Sequence, residues 1–183
     1  MTKRFLSALL AACIFAGPTL AALEPGSPAP DFATPATLGG KEFTFKLADA
    51  LKSGPVVLYF YPAAFTPGCT VEAHDFAEAM PQFKALGATV IGVSRDGIEK
   101  LNRFSVEECR SAFPVASDPS GSITRGYDAV LSSVLALSDR TSYVIAPEGT
   151  IVYAYHALDP DGHVTNTLGA LQAWRQAHPQ EAP

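Results

Sequence analysis

Apolar residues recur along this chain in two kinds of pattern. Pro55-Val-Val-Leu-Tyr-Phe-Tyr61 is a continuous apolar run, too short for a helix and rich in β-branched and aromatic residues. That predicts a buried strand. Ala88-Thr-Val-Ile-Gly-Val-Ser94 predicts a second one, and Lys41-Glu-Phe-Thr-Phe45 alternates like a strand. Thr141–Ala146 and Ile151–Tyr155 flank Pro147-Glu-Gly149, which predicts an antiparallel hairpin. Between these runs the pattern turns helical. A helix is predicted from Thr70 past Pro81 to about Leu86, where Gly87 ends it; Pro81 is expected to kink or divide it. Asp96-Gly-Ile-Glu99 has capping-box spacing and opens another helix, which ends before Phe113-Pro114. Val164–Ala177 is the last helix, and Leu47–Lys52 forms a helical turn before Ser53-Gly54 breaks it. Ala22–Pro35 reads as extended, Phe113–Asp118 as irregular or a short strand, and a loop-rich region starts at Gly126-Tyr127; Val130–Leu137 is ambiguous. The order β-α-β-α then β-β-α predicts an α/β fold, a mixed sheet with helices on both faces.

The N-terminus is a different matter. Lys3 and Arg4 precede an uncharged apolar run from Phe5 to Gly17, followed by Pro18-Thr-Leu-Ala-Ala22. This order predicts a secretory signal peptide over residues 1–22, ahead of one domain over 23–183. The apolar run is too short for a comfortable membrane span. The protein is therefore expected in the periplasm or secreted, with no stable membrane insertion once the leader is removed. Leu10-Ala-Ala-Cys13 also resembles a lipoprotein cleavage box, although apolar Ile14-Phe15 follow it. Cleavage after Ala21 or Ala22 takes two positive charges from a chain of net charge −5, leaving −7. With that balance and no basic cluster, nucleic acid and anionic membrane surfaces are poor candidates as partners. At 48% hydrophobic and 17% charged residues, the chain can bury a substantial core.

Removal of the leader leaves two cysteines, Cys69 and Cys109. Turn formers Pro62, Pro67 and Gly68 join the first buried strand to a helix whose first turn contains Cys69. Unpaired N–H groups and the positive end of the helix dipole converge there and favour negative charge on the sulfur. The spacing Pro62-x-x-x-Thr66-x-x-Cys69 resembles the active-site motif of peroxiredoxins. Phe60-Tyr61-Pro62 and Thr70-x-Glu72 resemble the Q-type, bacterioferritin-comigratory-protein branch. The likeness extends from Gly26-Ser-Pro-Ala-Pro-Asp-Phe32 to Gly162-His-Val164. It implies a thioredoxin-like fold and a thiol peroxidase without metal or other cofactor. The substrate would be hydrogen peroxide or a small organic hydroperoxide, the reductant a thioredoxin-like or other thiol, and the assembly a monomer or dimer.

Peroxide reduction needs a thiolate nucleophile and positive or N–H donors where charge builds on the departing oxygen. Cys69 supplies the first. Thr66 can place its hydroxyl beside the sulfur or the peroxide, and Pro62, lacking an N–H, would shape the pocket wall. Arg140 matches the position of the family's active-site arginine, and an arginine stays charged and presents a planar donor fork. Glu72, one helical turn past Cys69, either orients an arginine or simply complements the helix dipole. His74, His156, His163 and His178 have no metal-ligand spacing and read as structural or exposed.

The chain departs from the Q-type pattern at one point. Where many members carry a second, resolving cysteine five residues after the first, this chain has His74. Cys109, 40 residues after Cys69, is the remaining candidate; members that place the second cysteine in that helix have it about one turn earlier, near Ser105. At about 100° per residue, Cys109 falls at the edge of the apolar face, partly buried. It is expected either to form a disulfide with Cys69 or to fill the core. A second class of function stays open: a non-peroxidatic thioredoxin-like thiol–disulfide or interaction module. The absence of Cys-x-x-Cys disfavours the dithiol form of it.

Overall fold

The structure is a computed structural model that describes residues 22–179. The predicted leader, apart from Ala22, and Cys13 lie outside the described residues. Seven strands form one mixed sheet in the order β2-β1-β5-β4-β3-β8-β9. Next to the middle strand lies β3 (Val56–Phe60), every residue of which is buried. β3 pairs parallel with β4 (Thr89–Ser94) and antiparallel with β8 (Thr141–Ile145). β8 continues into the predicted hairpin with β9 (Ile151–His156). On the other side β4 pairs parallel with β5 (Val115–Ser117), and β1 (Ala33–Leu38) joins β5 to β2 (Lys41–Lys46).

Alternation along β3 assigns the two sides of the sheet. Val57, Tyr59 and Tyr61 face α2 (Pro67–Ala85), α3 (Ile98–Glu107) and α5 (His163–Ala177). Val56, Leu58 and Phe60 face α1 (Leu47–Leu51) and α4 (Ser122–Gly126). Helices on both faces of a mixed sheet are the predicted fold. Tyr59 stacks on Phe76 of α2 at 4.4 Å between centroids, and Tyr61 on Phe104 of α3 at 5.5 Å. The buried face of α2 runs Cys69, Glu72, Ala73, Phe76, Ala79, Met80, Phe83, a helical spacing of three and four. The same stripe that anchors the helix therefore carries Cys69 and Glu72 inward.

Several expectations need correction. The helix with Pro81 is not divided: α2 runs unbroken from Pro67 to Ala85 and only forgoes the bond that proline's missing N–H would make. The capping box is absent. Gly97 is the N-cap of α3, with no side-chain cap, because the Asp96 carboxylate is taken by the Ala64 N–H (2.7 Å), the Ser94 hydroxyl (2.9 Å) and Lys100 Nζ (2.7 Å). α3 stops at Glu107, so Cys109 is outside the helix. It is also fully buried rather than partly so. Arg110 and Ser111 take left-handed φ values of 51° and 54°, and that turn folds Cys109 into the core. β1 was hidden by Pro35, which cannot donate to a ladder; its pairing with β5 is confined to Ala36 and Thr37. The ambiguous stretch resolves into a small hairpin of β6 (Val130–Ser132) and β7 (Leu137–Ser138). No helix among the described residues is long and apolar enough to cross a membrane.

Candidate active site

The loop from β3 to α2 brings the nucleophile to the C-terminal end of β3. Tyr61 N–H donates to the Val93 carbonyl, and the Ala64 N–H donates to Asp96, so two groups near the end of β4 fix the loop. Phe65 then takes a left-handed φ of 65°, a conformation few non-glycine residues adopt, and turns the chain into α2. Thr66 is the N-cap and Pro67 occupies the first turn, where its lack of an N–H removes no helical bond. The N–H groups of Gly68 and Cys69, in the first turn of α2, have no intrahelical acceptor.

Cys69 is 2% exposed. Arg140, just ahead of β8, points its guanidinium across to α2: Nη2 donates to Cys69 Sγ at 3.5 Å and Nη1 donates to Glu72 Oε2. Its Nε donates to the Leu158 carbonyl at 2.9 Å. Gly68 leaves room for the guanidinium, since a Cβ there would sit tightly, 3.2 Å from Nη2. Arg140 is thus held by all three faces of its fork, which a lysine could not reproduce. Burial opposes its charge, but Glu72 and Cys69 outweigh burial and raise its pKa above the ordinary arginine value.

Glu72 is fully buried. Its carboxyl is pushed up to about 8, first by burial and against the pull of Arg140. Behind it, His163 at the start of α5 places Nδ1 3.7 Å from Glu72 Oε1. Nε2 of the same ring lies 2.9 Å from the Ala157 carbonyl and Nδ1 lies 2.8 Å from the Ser142 hydroxyl. Burial drives the His163 pKa down to about 4.

The sequence expectations fare unevenly against this geometry. Cys69, Arg140 and Glu72 come together, and Glu72 does orient the arginine. Pro62 is half-buried in the loop wall. Thr66 is exposed, and its hydroxyl donates to the Ala63 carbonyl at 2.9 Å rather than to the sulfur. Cys109 is in the same core cluster as Cys69 but forms no disulfide with it. Burial, with the Glu108 charge second, holds its thiol well above the ordinary cysteine range. Sequence reasoning passed over His163 as one of four unremarkable histidines. The signal available was its place next to Gly162 at the head of an apolar helix, where a polar residue that turns inward needs buried partners. A cavity of about 590 Å³ between Phe32–Pro35, Gly97–Glu99 and Ser117–Ile123 includes none of these residues and no cysteine.

Comparison with known proteins agrees with this arrangement. Residues 25–154 match the AhpC/TSA family. Peroxiredoxin Bcp of Xanthomonas campestris is 35% identical over 152 residues, spanning 80% of this chain and 92% of that protein. The solved structure of peroxidoxin BcpB from Mycobacterium tuberculosis is 30% identical with a TM-score of 0.75, covering 82% of this chain and 97% of that one. A structure of the Xanthomonas campestris bacterioferritin comigratory protein is 32% identical with a TM-score of 0.68, covering 76% and 90%. A cysteine at the head of a buried helix, an arginine at its sulfur and this degree of likeness place the chain in the AhpC/TSA family, on its peroxiredoxin Q/Bcp branch.

Proposed function

We propose that the protein is a thiol-dependent peroxidase in which Cys69 attacks a hydroperoxide. The observation that carries this reading is the Arg140 Nη2–Cys69 Sγ contact of 3.5 Å at the N-terminal turn of α2. The sulfur lone pair attacks one oxygen of ROOH, an S–O bond forms and the O–O bond breaks. The departing alkoxide leaves beside Arg140 and the free N–H groups of Gly68 and Cys69, where negative charge is stabilised. It takes up a proton to become ROH, and Cys69 is left as a sulfenic acid. The solved structures of the Xanthomonas relative concern its alkyl peroxide reduction activity, which supports small organic hydroperoxides as substrates beside hydrogen peroxide. Cys69→Ser is expected to abolish peroxide consumption. Near wild-type turnover by that variant would overturn the reading.

Cys109 is the proposed resolving residue. Its thiolate attacks Cys69 Sγ, an S–S bond forms, hydroxide leaves, and a thioredoxin-like or other thiol reductant supplies the two electrons that restore both thiols. Support comes from the neighbourhood. His74, five residues after Cys69, bonds Glu108, the residue before Cys109, at 2.8 Å, so the two cysteine-bearing segments run side by side. Both thiols are buried, and the disulfide is proposed to form after local opening of one or both segments. Export to the periplasm or beyond is supported by the basic, apolar, small-residue order of residues 1–22. N-terminal sequencing of native protein tests it: a start near residue 22 or 23 is expected, and an uncleaved chain or a lipid-modified Cys13 would refute it.

A further inference from the structure

Charge in the buried site does not balance with every acid ionised. Arg140 contributes one positive charge, while a Cys69 thiolate and a Glu72 carboxylate contribute two negative ones. The Glu72 side chain is fully buried and that of Arg140 5% exposed, and Cys69 is 2% exposed. A net negative charge in such a dry cluster is strongly disfavoured. The N-terminus of α2 supplies only about half an elementary charge. Asp75, further along α2, adds to the repulsion on Glu72.

Hydrogen bonding points to where the missing proton belongs. The Ala157 carbonyl can only accept, so His163 Nε2 is the donor in that 2.9 Å bond. A neutral ring then leaves a single lone pair on Nδ1, which accepts from the Ser142 hydroxyl at 2.8 Å, so the ring offers no N–H to Glu72 Oε1, 3.7 Å from Nδ1. Oε1 is buried and has no hydrogen-bond partner. An ionised carboxylate oxygen with no donor is costly in the core; a proton on Oε1 removes that cost and the excess charge together. The upward shift of Glu72 and the downward shift of His163 both put that proton on the carboxyl. His156 and Asp159 act on His163 from further out, with opposite effects.

We propose that Glu72 is a proton store: protonated toward His163 in the reduced enzyme, and ionised once Cys69 is oxidised. The inference rests on Cys69 and Arg140 acting as described above. Arg140 then keeps one counter-charge throughout, first the thiolate and afterwards the carboxylate. The step balances as Cys69–S⁻ + ROOH + Glu72–COOH → Cys69–SOH + ROH + Glu72–COO⁻. The proton lost by the carboxyl matches the one gained by the departing alkoxide. Glu72 and His163 are positioning residues in this scheme, since neither touches the peroxide.

Infrared difference spectroscopy of reduced against peroxide-oxidised protein tests this, with intact mass confirming that Cys69 has been oxidised. The reduced protein is expected to show the C=O stretch of one protonated carboxyl, moved by isotope-labelled glutamate, lost on oxidation and missing in Glu72→Gln. Should that variant fail to fold, the labelled wild-type protein carries the test alone. A Cys69 that oxidises normally, with no glutamate-sensitive band or with one that survives oxidation, would overturn the store and leave the peroxidase reading standing. A Cys69 that peroxide does not oxidise would overturn both.

Discussion

The segment around Cys109 is held by opposing influences whose sizes can be estimated. Closing it are the His74–Glu108 bond at 2.8 Å, with side chains 34% and 21% exposed, and the Glu78–Arg110 pair at 3.0 Å. Opening it is the left-handed backbone at Arg110 and Ser111, neither of them glycine. A part-exposed polar contact of this kind is worth at most about 1 kcal/mol, or roughly fivefold in an equilibrium. A left-handed residue costs about 1 kcal/mol relative to glycine in that conformation. If the disulfide forms only after this segment opens, Glu108→Gln should speed the conversion of sulfenic acid to disulfide about fivefold. Ser111→Gly should slow it by a similar factor. Quenching with an alkylating reagent and measuring intact mass gives the interval between the two species. Removing the Glu108 charge also eases ionisation of Cys109, so amide hydrogen exchange at residues 109–112 is measured in parallel, because it reports opening independently of the thiol. Intervals and exchange rates that do not move, or that move the same way in both variants, would refute the strained-and-clamped account.

Other consequences can be measured directly. Arg140→Met should lower the rate of Cys69 oxidation by about 100- to 1,000-fold, the usual effect of losing one such donor, as read by peroxide competition kinetics. Cys109→Ser should leave first oxidation fast, make turnover depend on external thiol, and change the product from a loss of two hydrogens to a gain of oxygen by mass. Stability of the reduced protein should fall as pH rises from about 6.5 to about 8. In that window folded Glu72 retains a proton the unfolded chain has lost, while His163 is neutral in both states. Between about 4.5 and 6.5 the two groups offset each other, because the unfolded chain now holds the histidine proton and the folded protein the carboxyl proton. Urea titrations across that range should show a plateau and then a decline on the order of 2 kcal/mol, and Glu72→Gln should remove the decline. A rising limb above pH 6.5 would contradict the shifts.

What the sequence made legible follows from how local each signal is. β3, β4 and the β8–β9 hairpin announce themselves because continuous burial leaves apolar runs with turn formers at their ends. Cys69 could be placed because its strand, turn and helix are contiguous. β1 was missed because Pro35 contradicts the local rule, and only pairing with β2 and β5 outweighs it. Asp96 misled for a related reason: its spacing suits a cap, but a backbone N–H 32 residues away in sequence claims the carboxylate. The position of Cys109 depended on where α3 ends, which the left-handed step at Arg110 sets and no residue type there advertises. His163 belongs to the site only through tertiary contacts with Ser142 and Glu72, which no spacing encodes.

The grip of Asp96 on Ala64 also sets the swing of the reactive thiol. With Ala64 pinned to the end of β4, unravelling the first turn of α2 frees the chain only beyond that point, and Cys69 is five residues further on. A five-residue tether spans at most about 17 Å when fully extended. The sulfur can therefore sweep a bounded arc over the end of the sheet, wide enough to reach a neighbouring segment, while the strand beneath stays in register. Lengthening the tether by inserting residues between Ala64 and Thr66 would widen the arc and dilute the encounter with Cys109; shortening it would hold the thiol at its post.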